Sequence, residues 1–108
     1  MSIEMVARKE IMDRLSQVID PELGLNIVDM GLIYEVIVKR KVKGRPQQVA
    51  VKMTFTTPAC PLINVILDDI KARLEPIKDA DIDIQIVFEP MWSPARMSEK
   101  ARLKLGMI

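Results

Sequence analysis

Val49-Ala50-Val51-Lys52-Met53-Thr54-Phe55-Thr56-Thr57-Pro58-Ala59-Cys60-Pro61-Leu62-Ile63 contains the transition that decides the fold. Over residues 49–57 the side chains alternate, with Val49, Val51, Met53 and Phe55 on one side and Lys52, Thr54 and Thr56 on the other. A period of two belongs to a half-buried strand. From 61 to 75 the period lengthens. Leu62, Ile63, Ile66, Leu67, Ile70 and Leu74 form a helical stripe, and Asp68, Asp69, Lys71 and Arg73 take the opposite face. Pro61 or Pro58 suits the first helical turn, where a missing N–H costs nothing. Pro76 ends the helix.

Alternation returns over residues 82–88, where Ile82, Ile84, Ile86 and Phe88 interleave with Asp83, Gln85 and Val87. Strand, helix, strand in that order predicts a right-handed crossover with the two strands parallel. Upstream, residues 32–42 read as another strand, and the polar turn with Gly44 and Pro46 joins it to the run at 49 as an antiparallel hairpin. Residues 3–19 read as an amphipathic helix, with Ser2 as its N-cap, Met5, Ile11, Met12, Leu15, Val18 and Ile19 on its apolar stripe, and Pro21 as its stop. Residues 20–31 form a loop in which Gly24 and Gly31 permit positive φ, and Leu23, Leu25, Ile27 and Val28 tuck it against the core. Ser93 or Ser98 caps a short last helix that Gly106 terminates. The expectation is a single α+β domain over residues 1–108, in the order α-β-β-α-β-α. Helices pack on one face of its three-stranded mixed sheet. The outer face, with Lys52, Thr54, Asp83 and Gln85, meets water.

Composition narrows the function. The 108 residues are 49% apolar and 29% charged, as in a soluble globular protein. Lys and Arg number 16 against 15 Asp and Glu, a balance that argues against nucleic acid as a partner. The eight methionines read as core filling. The lone cysteine fits a reducing compartment. No signal peptide or membrane span is expected, which points to the cytoplasm.

The candidate chemistry centres on Cys60, the single cysteine of a chain without histidine. It lies between strand and helix rather than on an apolar stripe. A helix start there aims free N–H groups at the sulfur and favours the thiolate. A Cys–His catalytic pair within the chain is excluded. Thr56 and Thr57 place hydroxyls beside it, as caps or as donors to an oxyanion. Asp20, Glu22 and Asp29 bring three carboxylates into ten residues. A calcium site needs about six oxygens, so capping of local turns explains these acids better. Trp92, beside Ser93, either packs under the cysteine loop or anchors a partner. Lys39, Arg40, Lys41, Lys43, Arg45 and Lys52 make a solvated basic patch near the hairpin tip. An iron–sulfur cluster takes a full set of thiolates. One chain supplies one, so a cluster is expected only in transit, shared between subunits or with outside thiols.

Four segments occur in order: Asp20-Pro21-Glu22-Leu23-Gly24, Ile27-Val28-Asp29-Met30-Gly31-Leu32-Ile33-Tyr34, Met53-Thr54-Phe55-Thr56-Thr57-Pro58-Ala59-Cys60-Pro61-Leu62, and Pro90-Met91-Trp92-Ser93-Pro94-Ala95-Arg96-Met97-Ser98. Together they closely resemble the MIP-eighteen family, also called domain of unknown function fifty-nine, which includes PaaD-like and SufT-like proteins. The resemblance spans nearly the whole chain. It implies an α+β domain in iron–sulfur cluster assembly or protein maturation, with Cys60 as the functional thiol and metal ligand. It also implies a depression lined by Asp20, Glu22, Asp29, Thr56 and Thr57, with Trp92 and Ser93 beside it. The implied partners are an assembly scaffold or P-loop ATPase carrier and apo client proteins, with a homodimer as a further option. The chain resembles the bare domain, without the ATPase or the cysteine-rich extension of PaaD proteins.

Two readings follow. In the first, a non-catalytic maturation factor uses Cys60 for transient ligation or partner engagement. In the second, an adaptor recruits partners through the acidic loop and Trp92, and Cys60 is not a ligand. A thiol enzyme ranks behind both, because a carboxylate in place of histidine raises a thiol's pKa.

Overall fold

The computed structural model describes residues 7–107. Helix α1 spans Arg8–Leu15, β1 Ile19–Asp20, β2 Leu25–Asn26, β3 Ile33–Val38, β4 Gln47–Met53, α2 Ile63–Leu74, β5 Ala80–Ile86 and α3 Glu99–Lys104. A short 3-10 turn, Pro94–Arg96, precedes α3. The three long strands form one mixed sheet in the order β3-β4-β5. β3 and β4 are antiparallel, while β4 and β5 are parallel with α2 as their connection. The expected hairpin and crossover are both present, as is the α+β architecture.

The core lies between the sheet and the helices. Ile11 and Leu15 of α1 and Ile66, Ile70 and Leu74 of α2 meet Val36, Val49, Val51 and Met53. Ala101 of α3 and Met97 join the same cluster. The two long helices are also tied at their ends. Arg14 Nη1 donates to the Arg73 carbonyl at 3.2 Å, and Arg73 Nη1 donates to Gln17 Oε1 at 3.3 Å.

Several expectations need correction. Helix α1 ends at Leu15, well before Pro21, because the chain turns at Ser16 and Gln17 and enters β1. Val18 is buried beyond the helix, and Ile19 is exposed. Ser2 and Met5 lie outside the described residues. The loop at 20–31 holds a small antiparallel pair, with Ile19 opposite Asn26 and Asp20 opposite Leu25. Leu25 and Ile27 are buried as expected, but Leu23 faces solvent. Thr54 is fully buried rather than on the wet face, since it follows β4 into the interior and its N–H bonds the Leu32 carbonyl at 2.8 Å. A register irregularity between Ile33 and Glu35 interrupts the alternation of β3 at Tyr34. Ser98, not Ser93, caps α3, its Oγ accepting from Ala101 N at 3.1 Å. Met30, Met53 and Met97 are core residues, whereas Met91 and Met107 are exposed.

One consequence of the register organises the site. Ile33 at the start of β3, Met53 at the end of β4 and Ile86 at the end of β5 stand side by side. The loops before β3, after β4 and after β5 therefore leave the same end of the sheet. The basic hairpin tip lies at the other end.

Candidate functional site

Those three loops carry Asp29-Met30-Gly31, Thr56 to Pro61, and Pro90 to Ser93. Sheet topology brings together three of the four motif segments. The segment from 90 to 98 is fastened along the segment from 29 to 34. Tyr34 Oη donates to the Pro90 carbonyl at 2.8 Å, and Trp92 Nε1 donates to the Met30 carbonyl at 2.8 Å. The Arg96 guanidinium lies 4.5 Å from the centre of the Tyr34 ring, a cation–π contact. Ser98 N donates to the Asp29 carbonyl at 2.8 Å. Gly31, at φ +77°, runs so close beneath this strap that a Cβ there would stand 2.2 Å from the Arg96 carbonyl oxygen. Only glycine fits.

Cys60 is half-buried and packs at the margin of the core beside Leu62 and Ile63. It is neither sealed inside nor freely exposed. The loop that holds it is a chain of short turns. Thr57 accepts Ala59 N on its Oγ1 at 3.3 Å and Cys60 N on its carbonyl at 3.1 Å. The Ala59 and Cys60 amides are thus engaged with Thr57. Helix α2 also begins later than expected, at Ile63, with Pro61 and Leu62 in a turn before it. Leu62, its N-cap, has no side-chain acceptor to offer, so the first turn of α2 has no side-chain cap. Thr57 caps the cysteine turn rather than the helix, and Thr56 is exposed.

The acids are occupied with their own turns. Asp20 is buried, and its Oδ1 accepts from Glu22 N at 2.7 Å and Leu23 N at 3.2 Å. Asp29 Oδ2 accepts from Asn26 Nδ2 at 2.8 Å, while Asn26 Oδ1 accepts from Asp29 N at 2.8 Å. Glu22 and Ser93 are exposed. Among the described residues no three His, Cys, Asp or Glu side chains converge on a metal position. One thiol, with Asp20 held by backbone amides and Asp29 by the Asn26 side chain, does not make up the ligand set of a resident iron–sulfur cluster.

The basic patch is partly neutralised. Lys41 Nζ lies 2.8 Å from Asp79 Oδ2, and Lys52 Nζ lies 3.9 Å from Glu35 Oε1. Sequence reasoning missed Tyr34, Arg96 and Gly31 as site-building residues. The chain's single tyrosine at a strand start was the available signal. Its partners lie 56 and more residues away, beyond the reach of any local pattern.

Residues 8–86 match the family model described as iron-sulfur cluster assembly protein. The chain belongs to this family. It is similar to a Porphyromonas gingivalis protein named Fe-S protein maturation auxiliary factor, 39% identical over 101 residues covering 93% of this chain and 91% of that one. It is also similar to the Staphylococcus aureus Fe-S protein maturation auxiliary factor SufT, with 38% identity over 83% of this chain and 98% of that one. Among solved structures, the domain of unknown function DUF59 from Bacillus anthracis superposes with a TM-score of 0.78 at 33% identity, covering 93% of this chain and 92% of that one. The family suggested by the four sequence segments is thereby established, and so is its fold. Among the described residues, no helix is long and apolar enough to cross a membrane.

Proposed function

We propose that this chain is a non-catalytic auxiliary factor in the maturation of iron–sulfur proteins, and that Cys60 is its working thiol. The relatives named as maturation factors support the first part. The second rests on one observation: the chain's single thiol is half-buried in a loop leaving the same sheet end as the Trp92 and Asp29 segments. A thiol so placed contacts an incoming cluster or partner from the rim of the fold. With no second soft ligand beside it, Cys60 supplies one bond, and the donor or recipient supplies the rest. Such a ligand holds cargo briefly, which suits delivery to an apo client from an assembly scaffold or P-loop ATPase carrier. No histidine stands by as base, so the role is binding rather than turnover.

The test is anaerobic loading with iron and sulfide in the presence of a small thiol, followed by absorption and Mössbauer spectroscopy on wild type and Cys60→Ser. Wild type is expected to acquire a thiolate-to-iron charge-transfer band that Cys60→Ser lacks, with both proteins folded by circular dichroism. Equal iron uptake by a folded Cys60→Ser protein overturns the reading.

A second reading has one observation of its own. Met91, beside the anchored Trp92, is 77% exposed, the most exposed large apolar side chain of the described residues. Recruitment of partners through this loop predicts that Met91→Ser abolishes partner capture while Cys60→Ser leaves it intact.

A further inference from the structure

Among the described residues, strand β5 is an unpaired edge. It lies at the end of the sheet order, and β4 is its sole strand neighbour among the described residues. The ladder phase is fixed at both ends, because Gln47 N donates to the Asp79 carbonyl and Val87 N donates to the Met53 carbonyl. With an unbroken register between them, the odd-numbered residues of β5 direct N–H and C=O groups at β4. The even-numbered residues Ile82, Ile84 and Ile86 direct theirs outward, away from the sheet. Of the devices that usually protect an edge, β5 carries only charge, at the exposed Asp81 and Asp83. No proline, lysine or bulge interrupts residues 80–86. The inner side of the edge is apolar and incompletely covered. A groove of about 230 Å³ runs between the end of α2 and β5, with Leu74, Ile77, Ile82 and Ile84 in its wall and Lys71 and Glu75 along its α2 side. Ile86 aligns with the fully buried Met53 yet is 37% exposed, as a side chain with no strand beyond it would be.

We infer that a second copy of this chain pairs with β5, antiparallel about a two-fold axis at Ile84, to give a continuous six-stranded sheet. The edge is self-complementary in this register, and the acids disfavour the registers centred on the two preceding residues. Pairing centred on Asp83 would set that carboxylate against its own copy, and pairing centred on Ile82 would set Asp81 against Asp83. Both juxtapose like charges directly across a strand pair. Centring on Ile84 avoids any acid–acid pair within the strand. Ile84 meets Ile84, Ile82 meets Ile86, and Asp83 faces Gln85. Gln85 Nε2 already donates to Asp83 Oδ2 at 3.0 Å within one chain, so the two side chains are chemically matched. The arrangement is isologous and closes on itself. It also places Ile86 of each copy over the groove of the other. The two Cys60 loops then leave opposite ends of the joint sheet, so a cluster is not bridged between the two Cys60 thiols, and each thiol works with an outside ligand set. The pairing itself does not depend on the role proposed for Cys60.

Sedimentation velocity over a wide concentration range tests this, with wild type, Gln85→Lys and Gln85→Glu. Wild type is expected to dimerise with rising concentration. Gln85→Lys sets a cation opposite Asp83 twice by symmetry and tightens the dimer by about three- to tenfold; Gln85→Glu weakens it by a similar factor. Within one chain residue 85 stands beside both Lys52 and Asp83, so monomer stability is measured separately for each variant by urea unfolding at a concentration below dimerisation, and the dimer is read from the concentration dependence of sedimentation alone. Amide exchange read by NMR is expected to slow at Ile82, Ile84 and Ile86 as the dimer forms. A chain that stays monomeric up to its solubility limit overturns the inference. So does a dimer indifferent to both substitutions, or one whose exchange protection falls away from β5, as it would if the edge served a different protein.

Discussion

Trp92 donates its indole N–H to the carbonyl of Met30 at 2.8 Å, across 62 residues of sequence. Both groups are partly shielded from water, and the bond fixes the strap from 90 to 98 over the end of the sheet. Trp92→Phe keeps most of the apolar contact and leaves the Met30 carbonyl without this donor. The expected cost is about 1–2 kcal/mol, read as a lower urea midpoint with an unchanged slope. As the single tryptophan, Trp92 also reports on the strap by its fluorescence, with a red shift expected wherever the strap lifts.

Gly31 tests the same contact from the other side. Gly31→Ala drives a methyl into the Arg96 backbone and strains a positive φ. A cost above about 3 kcal/mol is expected, as two penalties combine. Gly24→Ala makes the control. It shares the positive φ but has open space around the new Cβ, so about 1–2 kcal/mol is expected. Thermal unfolding of the two variants separates strain from clash.

Asp20 holds the turn after β1 through two amides. Asp20→Ala leaves Glu22 and Leu23 N–H groups without their acceptor beside a buried position, at a cost of about 1–3 kcal/mol. Asp20→Asn keeps one carbonyl acceptor and recovers most of the loss. An acid needed chiefly for metal would show the reverse pattern, with both variants stable and iron uptake lost.

Lys9 has a pKa raised above 10.5, first by its hydrogen bond to Asp13 and then by that carboxylate's charge, with desolvation opposing weakly. A raised lysine contributes stability that is complete below its unfolded pKa and lost as pH rises through the higher folded value. Both side chains are exposed, so the effect on folding is slight. NMR titration of the Lys9 side chain is expected to show a lower pKa in Asp13→Asn.

The strand–helix–strand run from 49 to 86 was legible because each part carries its own period. Val49, Val51 and Met53 bury as the alternation requires, and a parallel pair is what a helical connection of that length permits. Thr54 was misread because a residue just past a strand's end no longer obeys the strand's period. The end of α1 was misread because Val18 and Ile19 continue the helical stripe in sequence while the chain has already turned. At the site, Cys60 and Trp92 stood out by their rarity. Tyr34, Gly31 and Arg96 did not, because their importance arises from contacts between segments distant in sequence. The turn that presents Cys60 was not legible, because the Thr57 hydroxyl and carbonyl take up the Ala59 and Cys60 amides and delay the start of α2 to Ile63.

The β3–β4 hairpin tip, exposed from residue 42 to 46 and open around Gly44, stands at the far end of the sheet from Cys60. A tether, label or inserted peptide at Gly44 would therefore leave the thiol and the strap undisturbed. The chain has a built-in handle, by which it can be immobilised with its working end directed into solution.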